Sequence, residues 1–231
     1  MGRSKWLTLM IVVLMVGLSI GFKEALTRHP LFFSTVFLLL TFVPLIVRFE
    51  RRHPEGRELV LLAVLSSAAA VSRIPFASIP NVQPTTFIVI MGGTVFGMES
   101  GFIIGATAAL VSNLFLGQGP WTPWQMLAWG SIGLIAGALG KSRWFQTRWV
   151  LAGFGCLAGY LFGVIMNAWV ALSLIHGIDW KAILALYGAS FYFDTAHAFT
   201  NAILLYLFSP GWQKVLQRFK KKYGLLEARD F

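Results

Sequence analysis

Long apolar stretches separated by short polar connections run along the whole chain. A helix needs about 20 predominantly apolar residues to cross the hydrocarbon core of a bilayer. The pattern predicts eight such spans, the third of which extends on its polar side toward Glu55. They are Trp6–Phe22, Leu31–Val47, Leu59–Ser72, Pro84–Met98, Ser100–Leu116, Pro123–Gly140, Trp149–Ile175 and Ile183–Phe208. We therefore expect an all-α fold, a polytopic bundle of transmembrane helices.

The first apolar stretch has a second interpretation. Arg3 and Lys5 precede it and the small residues Ser19 and Gly21 end it, so a signal peptide cleaved after Gly21 would show the same pattern. The run is longer than the usual signal-peptide core of about 7–15 residues, which favours a retained helix. On that interpretation residues 1–54 hold two additional helices and a basic loop, 55–210 a six-helix membrane domain, and 211–231 a basic tail.

Composition supports membrane insertion. The chain is 57% hydrophobic and 12% charged, with a mean hydropathy of +0.71, whereas soluble domains contain roughly 25% charged residues. The formal net charge of +10 could indicate nucleic-acid binding. However, the basic residues form short clusters between apolar stretches and no basic surface with interleaved aromatic residues, so we expect a lipid bilayer and no nucleic acid as partner.

The basic clusters also predict an orientation. They precede the first span and follow the second, sixth and eighth, so all four lie on one side of the membrane. Their members are Arg3 and Lys5; Arg48, Arg51, Arg52 and Arg57; Lys141, Arg143 and Arg148; and Lys214, Arg218, Lys220, Lys221 and Lys222. The other connections carry fewer positive charges, although Lys23 and Arg28 blur the contrast. By the positive-inside rule, we expect a multi-pass protein of the cell membrane with both termini in the cytosol.

The sequence argues against enzymatic chemistry. Its single cysteine, Cys156, excludes an intramolecular disulfide and a thiolate metal cluster. The segment from Gly137 to Ser142 imitates the end of a nucleotide-binding loop, but Ile135 stands where that motif needs glycine. We expect no catalytic residues, metal site or cofactor. If ATP drives transport, another subunit must hydrolyse it.

Two polar, proline-rich loops lie on the predicted outer side, in the segments Arg73–Pro84 and Gly117–Trp124. No ionisable residue occurs between Glu99 and Lys141, yet amides and indoles interrupt the apolar pattern around these loops. They are Asn81, Gln83, Gln118, Gln125, Trp121 and Trp124. Aromatic walls with a few placed polar groups are typical of small-molecule sites. The alternative is that the loops are helix-ending turns and the tryptophans belong to an interfacial belt.

Asp194 and His197 are the only Asp, Glu, His, Lys or Arg residues between Lys181 and Lys214. Three residues apart on a helix, they share one face with Tyr187 and Asn201. A carboxylate inside a membrane usually faces the bundle interior or a cavity. The pair could fix helix packing, line a substrate cavity or relay protons. As a metal site it would lack further ligands.

Small residues recur at four-residue spacing in two helices, which allows close approach of a neighbouring helix. One series is Gly101, Gly105 and Ala109, for which we expect internal packing. The other comprises Ala63, Ser66, Ser67 and Ala70. For this second patch, internal packing and contact with a partner protein remain open.

Three motif segments carry a resemblance to a known family. They are Ala68-Ala-Ala-Val-Ser-Arg-Ile-Pro-Phe-Ala, Ile79-Pro-Asn-Val-Gln-Pro-Thr-Thr-Phe-Ile-Val-Ile and Leu116-Gly-Gln-Gly-Pro-Trp-Thr-Pro-Trp-Gln-Met-Leu-Ala-Trp-Gly. Over about Glu55 to Pro210, the chain resembles the substrate-binding S component of energy-coupling factor (ECF) vitamin transporters, most of all the cobalamin-type members. It departs from their six-helix pattern by two N-terminal spans, and serine replaces alanine in parts of the small-residue patch.

The resemblance implies a membrane subunit that captures a vitamin, a corrinoid such as cobalamin, for a coupling protein and two ATPase subunits. The small-residue patch Ala63, Ser66, Ser67 and Ala70 would contact the coupling protein. The substrate would bind Arg73, Asn81, Gln83, Gln118, Trp121, Trp124, Gln125, Tyr187, Asp194 and His197. Two alternatives are a proton-coupled secondary transporter of a small organic solute that uses Asp194 and His197, and a membrane scaffold without transport activity.

Overall fold

The structure, a computed structural model, describes residues 29–50, 55–174 and 179–223. The first predicted span and most of the basic loop after the second lie outside these residues. The described ranges contain α-helices, one 3-10 turn at Ile74–Phe76 and no strand. The helices are α1 (Pro30–Glu50), α2 (Gly56–Arg73), α3 (Thr85–Phe96), α4 (Met98–Leu116), α5 (Thr122–Leu139), α6 (Arg148–Leu174) and α7 (Trp180–Lys222).

The outer surface of the bundle is suited to lipid. By length and composition, three helical segments of the described ranges are long and apolar enough to cross a membrane: Gly56–Phe76, Met98–Leu116 and Arg148–Ser173. Large apolar side chains such as Leu114, Leu184 and Phe199 are each more than 60% exposed. So many exposed apolar side chains would be unfavourable in water. The described residues form helices and no strand, which confirms the all-α expectation for them.

Helix α3 lies at the centre of the bundle. All of its 12 residues are buried, and at about 1.5 Å per residue it is roughly 18 Å long, shorter than the hydrocarbon core of about 30 Å. The apolar stretch Pro84–Met98 therefore forms a short enclosed helix, less than a full-length span. At its end Gly97 has φ 94°, a conformation that glycine adopts without steric cost, and the chain reverses into α4.

Helices α4 and α5 approach each other through glycine. A Cβ atom added to Gly101 would collide with the carbonyl of Gly133, and one added to Gly105 would collide with the carbonyl of Trp129. Ala109 is fully buried. The internal-packing interpretation of the Gly101 series is thus confirmed. Helix α1 packs on the same pair of helices, with Phe42 edge-to-face against Phe102 at 5.2 Å between ring centroids.

Helix α7 extends well beyond the predicted span Ile183–Phe208, through Pro210 to Lys222. Its last turns are held by other elements: Gln213 Nε2 donates to the carbonyl of Gln146 (2.8 Å) and Lys220 Nζ to that of Val95 (2.9 Å). Leu216 is buried in the main core. Tertiary contacts therefore maintain the helix past a proline that removes one backbone donor.

The consecutive helices run back and forth and so give the bundle two ends. Bonds from Arg73 to the last turn of α4, and from there to α5, define one end, which we call the Arg73 end. The opposite end, the Gly97 end, holds the α3–α4 turn and the α5–α6 loop. The described basic residues of the predicted clusters lie toward the Gly97 end: Arg57, Lys141, Arg143, Arg148, Lys214, Arg218, Lys220, Lys221 and Lys222.

Candidate functional site

Arg73 organises the polar groups at its end of the bundle. It is the last residue of α2, and its Nη1 donates to Asn113 Oδ1 (2.7 Å) and Ser112 Oγ (3.0 Å), both on α4. The guanidinium carbon also lies 5.2 Å from the centre of the Trp129 ring, within the range of a cation–π interaction. A single side chain thus contacts α4 and α5 from the end of α2.

Asn113 continues this network into α5. Its Nδ2 donates to Gln125 Oε1 (2.7 Å) and Thr122 Oγ1 (3.0 Å). The Thr122 hydroxyl in turn donates to Gln118 Oε1 at 2.8 Å. Arg73, Gln118 and Gln125, all predicted from the sequence as substrate-binding residues, are therefore joined through Asn113 and Thr122. Gln118 is exposed, whereas Asn113 and Gln125 are buried.

A second set of hydrogen bonds lies deeper in the bundle, around Thr86 at the start of α3. Trp129 Nε1 donates to Thr86 Oγ1 (2.9 Å), and Thr86 Oγ1 shares a hydrogen bond of 2.8 Å with His197 Nε2. Phe162 of α6 packs on both rings, with its centroid 4.7 Å from that of Trp129 and 5.1 Å from that of His197. Since Trp129 also contacts Arg73, this buried cluster is continuous with the network at the surface.

The loop before α3 is tied to the same end. Gln83 is buried, and its Nε2 donates to Asn81 Oδ1 at 3.1 Å. Asn81 has φ 57°, a left-handed conformation that asparagine tolerates better than most residues. Thr85 then donates to the carbonyl of Ala69 (2.9 Å). The predicted residues Asn81 and Gln83 are thus fixed relative to the end of α2.

The two predicted tryptophans have different surroundings. Trp121 packs edge-to-face on Trp169 of α6, with 5.8 Å between ring centroids. Trp124 instead packs against the small cluster of Phe42, Phe102 and Ala106 beneath α1. Trp121 is therefore the better candidate for a wall of a site between α5 and α6.

Asp194 and His197 do not contact each other through a hydrogen bond or ion pair in the described ranges. Asp194 Oδ2 accepts from Ser190 Oγ (2.9 Å), and its carboxylate lies against Gly163 of α6. Tyr187 donates to the carbonyl of Val164 at 3.2 Å. Each residue instead has its own partner: Asp194 contacts its own helix and α6, and His197 bonds to Thr86 of α3. A role in helix packing, a place in a substrate cavity and a proton relay all stay predictions for the two residues.

Several buried polar atoms of the bundle lack a hydrogen-bond partner among the described residues. They include Gln83 Oε1, His197 Nδ1, Trp124 Nε1, Trp169 Nε1 and Asn201 Oδ1. Buried polar groups usually form hydrogen bonds, so these atoms have capacity to bond a bound molecule. The predicted residues Gln83, Trp124 and His197 are among them.

The predictions missed five residues of the network: Ser112, Asn113, Thr122, Trp129 and Thr86. Asn113 carried the clearest signal, as an amide inside an apolar helix one turn before the Gly117 loop. Trp129 and Thr86 lie within the motif segments, but apolar neighbours hide them. In the part of the chain that the structure describes, no group of three or more His, Cys, Asp or Glu residues is placed to hold a metal ion.

Comparison with protein-family models gives one match, to the ECF transporter substrate-specific component family, over residues 57–210. This range is about two thirds of the chain. The chain belongs to the ECF transporter substrate-specific component family. That family comprises membrane transporter components and no enzymes. Comparisons with curated proteins and with solved structures found no match.

In this ECF substrate-specific component, the predicted partner patch is divided between the surface and the interior. Ala63 and Ser67 are exposed on α2, whereas Ser66 is 2% and Ala70 0% exposed. In this conformation only Ala63 and Ser67 are available to a partner helix. Ser66 and Ala70 instead allow close packing inside the bundle.

Beside this exposed face lies an apolar groove of about 750 Å³ between α2 and the last turns of α7. Val60, Val64 and Ala68 form one wall, and Trp212 and Phe219 form the other. Val60 and Val64 precede and follow Ala63 on the helix, so the groove and the small-residue face together make one apolar surface toward the Gly97 end.

Proposed function

We propose that this chain captures a vitamin, a corrinoid such as cobalamin, at the Arg73 end of the bundle and delivers it to an ECF transport complex. The main support for this proposal is that polar and aromatic side chains from α2 to α7 converge at that end, in a chain of the substrate-specific component family. The specific vitamin rests on the resemblance of the three motif segments to cobalamin-type members.

The arrangement has the features of a small-molecule site. Aromatic rings at Trp121, Trp129 and Trp169 accompany the polar groups of Arg73 and Gln125. Such sites combine apolar walls with a few polar groups that orient the ligand. Buried polar atoms without partners, at Gln83 and His197, supply further bonding capacity.

We propose that the Arg73 end faces the exterior and the Gly97 end the cytosol. The described basic residues of the clusters lie at the Gly97 end, and cytosolic connections carry the excess of lysine and arginine. With an even number of spans, a multi-pass chain in the cell membrane then has both termini in the cytosol. On this scheme residues 55–210 form the binding domain, preceded by two additional helices.

We further propose that the exposed small-residue face of α2 contacts a transmembrane coupling protein, which works with two ATPase subunits. Ala63 and Ser67 permit close approach, and the adjoining groove supplies about 750 Å³ for larger apolar side chains. Both lie toward the proposed cytosolic side, where ATPase subunits would be located.

Proton-coupled secondary transport receives no specific support from the geometry. Asp194 and His197 form no hydrogen bond with each other in the described ranges, and their bonds lead to Ser190 and Thr86, respectively. We therefore favour ATP-dependent uptake through a complex.

Purification in mild detergent tests this function. Mass spectrometry of small molecules released from the protein should identify a corrinoid, and titration with cobalamin should follow a single-site isotherm. Co-expression with a coupling protein and two ATPases should then give cobalamin uptake in cells that depends on ATP hydrolysis. Saturable solute uptake by the isolated chain in proteoliposomes, driven by a proton gradient alone, would contradict the proposal.

A further inference from the structure

Arg73 carries a charge that the described protein leaves uncompensated. Its two hydrogen bonds go to the neutral oxygens of Ser112 and Asn113, and its third contact is the neutral ring of Trp129. The residue lies three positions before the end of Gly56–Phe76, a helical segment long and apolar enough to cross a membrane. A guanidinium placed near hydrocarbon is costly unless it gains a negative or strongly polar partner.

The nearby carboxylates are engaged elsewhere. Two described acidic residues lie toward the Arg73 end, Asp179 and Asp194. Asp179 caps α7 by accepting from the backbone N–H groups of Lys181 and Ala182, and Asp194 accepts from Ser190. Neither forms an ion pair with Arg73 within the described ranges.

The unused donors of Arg73 suit a particular ligand chemistry. Both protein bonds come from Nη1, so the N–H groups on Nε and Nη2 make no hydrogen bond to the described residues. Nε and Nη2 form one edge of the planar guanidinium, and that edge matches two oxygens of a carboxylate or phosphate. Ser112, Asn113 and Trp129 meanwhile hold the plane in position.

We propose that Arg73 binds an anionic group of the transported substrate, a phosphate or a carboxylate, through its Nε–Nη2 edge. The inference rests on the proposed function and adds the substrate class: a vitamin with a negatively charged oxygen group is selected over its neutral analogue. Cobalamin meets this requirement through its phosphodiester. A vitamin acid would meet it through a carboxylate.

Two ligand pairs separate these sources. Pantothenate carries a carboxylate that pantothenyl alcohol lacks. Cobalamin carries a phosphodiester that cobinamide lacks, together with the ribose and base attached to it, so in this pair the test is the change in the affinity ratio caused by Arg73→Gln. Each is titrated calorimetrically into the purified full chain, as wild type, Arg73→Gln, Arg73→Lys and Lys181→Gln. The last variant removes an exposed charge at the same end, outside the site.

We expect the wild type to prefer the anionic member of one pair. Arg73→Gln should weaken binding of that member by about tenfold to a hundredfold, as expected for loss of charge-assisted hydrogen bonds, and leave its neutral analogue unchanged. Arg73→Lys should retain part of the preference for the anionic member. Lys181→Gln should retain all of it. Because both ligands of a pair are measured on the same preparation, partial unfolding would lower both affinities and keep their ratio.

Equal weakening of both members by Arg73→Gln, or tight binding of a neutral analogue with no preference, would overturn the anionic site and leave substrate capture intact. If the chain binds neither pair, the uncharged vitamin riboflavin is titrated next. Riboflavin binding unaffected by Arg73→Gln would overturn the anionic site alone. No binding of any of these vitamins would count against the proposed function itself, and against this inference with it.

Discussion

Thr86 and His197 are joined across the centre of the bundle, with 2.8 Å between Thr86 Oγ1 and His197 Nε2. The same hydroxyl accepts from Trp129 Nε1 at 2.9 Å. One threonine therefore satisfies two buried rings, on α7 and α5, from the second residue of the enclosed helix α3. In a membrane interior, where water cannot replace a lost partner, this contact fixes the relative positions of three helices.

Replacing Thr86 with valine should destabilise the fold. Valine keeps the shape but leaves Trp129 Nε1 and His197 Nε2 without their partner, and each orphaned buried group costs about 1–3 kcal/mol. We expect a lower midpoint of thermal unfolding in detergent. Thr200→Val is the matched control, because the Thr200 hydroxyl donates only to the carbonyl of Ala196 in its own helix. Equal effects of the two variants would contradict the bridging role of Thr86.

The helices were largely predictable because apolar stretches in a membrane protein have few alternatives to helix. The ends of two helices, α3 and α7, were not predictable. Helix α3 is shorter than its apolar stretch because Gly97 permits an early reversal, and α7 is longer because Gln213 and Lys220 bind carbonyls of distant elements. Both depend on tertiary contacts that hydropathy does not encode.

The position of the candidate site's polar groups along the chain was predictable, but the hydrogen bonds between them were not. Prolines and amides marked the loops that the structure places at one end, together with Arg73 and Gln125. Asn113 and Thr86, which connect these residues, were missed because a lone polar residue in an apolar helix has no defined partner until the helices pack. The same limitation applies to Asp194 and His197, because their spacing predicts a shared helix face but does not identify Ser190 and Thr86 as their hydrogen-bond partners.

The glycine contact between α4 and α5 makes a second stability prediction. Gly101→Ala places a methyl group against the Gly133 backbone, which cannot move aside as a flexible side chain can. Overpacking of this kind costs about 1–3 kcal/mol, so unfolding should occur at a lower temperature. In Gly153→Ala, the control, the new methyl group meets no atom within 4 Å. That variant should match or exceed wild-type stability, since alanine favours helix over glycine. A harmless Gly101→Ala would mean that the helices are farther apart.

Coupling to a partner can be separated from substrate binding at Ser67. Ser67→Leu adds bulk on the exposed face of α2, six residues before Arg73, and should prevent close approach of a partner helix. Substrate affinity of the isolated chain should stay within about twofold of wild type, whereas uptake by the assembled complex should be lost. Gly153→Leu adds similar bulk to an exposed position of α6 and should affect neither measurement. Loss of binding in Ser67→Leu would show instead that this residue serves internal packing.

Orientation can be tested with single cysteines in a Cys156→Ala background. Pro120 and Thr147 are exposed in loops at opposite ends of the bundle. Applied to intact cells, a membrane-impermeant thiol reagent should label Pro120→Cys and spare Thr147→Cys. After permeabilisation both should react. Labelling of Thr147→Cys alone in intact cells would invert the bundle and place the proposed site in the cytosol.

Asp194→Asn distinguishes substrate capture from proton coupling. Asparagine keeps the size of the side chain and an oxygen that accepts from Ser190, but removes the charge and the titratable proton. If Asp194 lines the substrate site, ligand affinity should change by several-fold. Uptake by the complete complex should remain ATP-dependent and unaffected by a protonophore when cellular ATP is maintained.

Asp179→Asn is the control for Asp194→Asn, since it removes an exposed carboxylate of the same helix and retains an oxygen for the cap of α7. It should leave affinity and uptake at wild-type levels. The opposite pattern would be that Asp194→Asn leaves binding unchanged and abolishes uptake driven by a proton gradient. That pattern would make the carboxylate a proton carrier. Because the proposed function draws its energy from ATPase subunits, that result would replace the proposed capture mechanism with secondary transport.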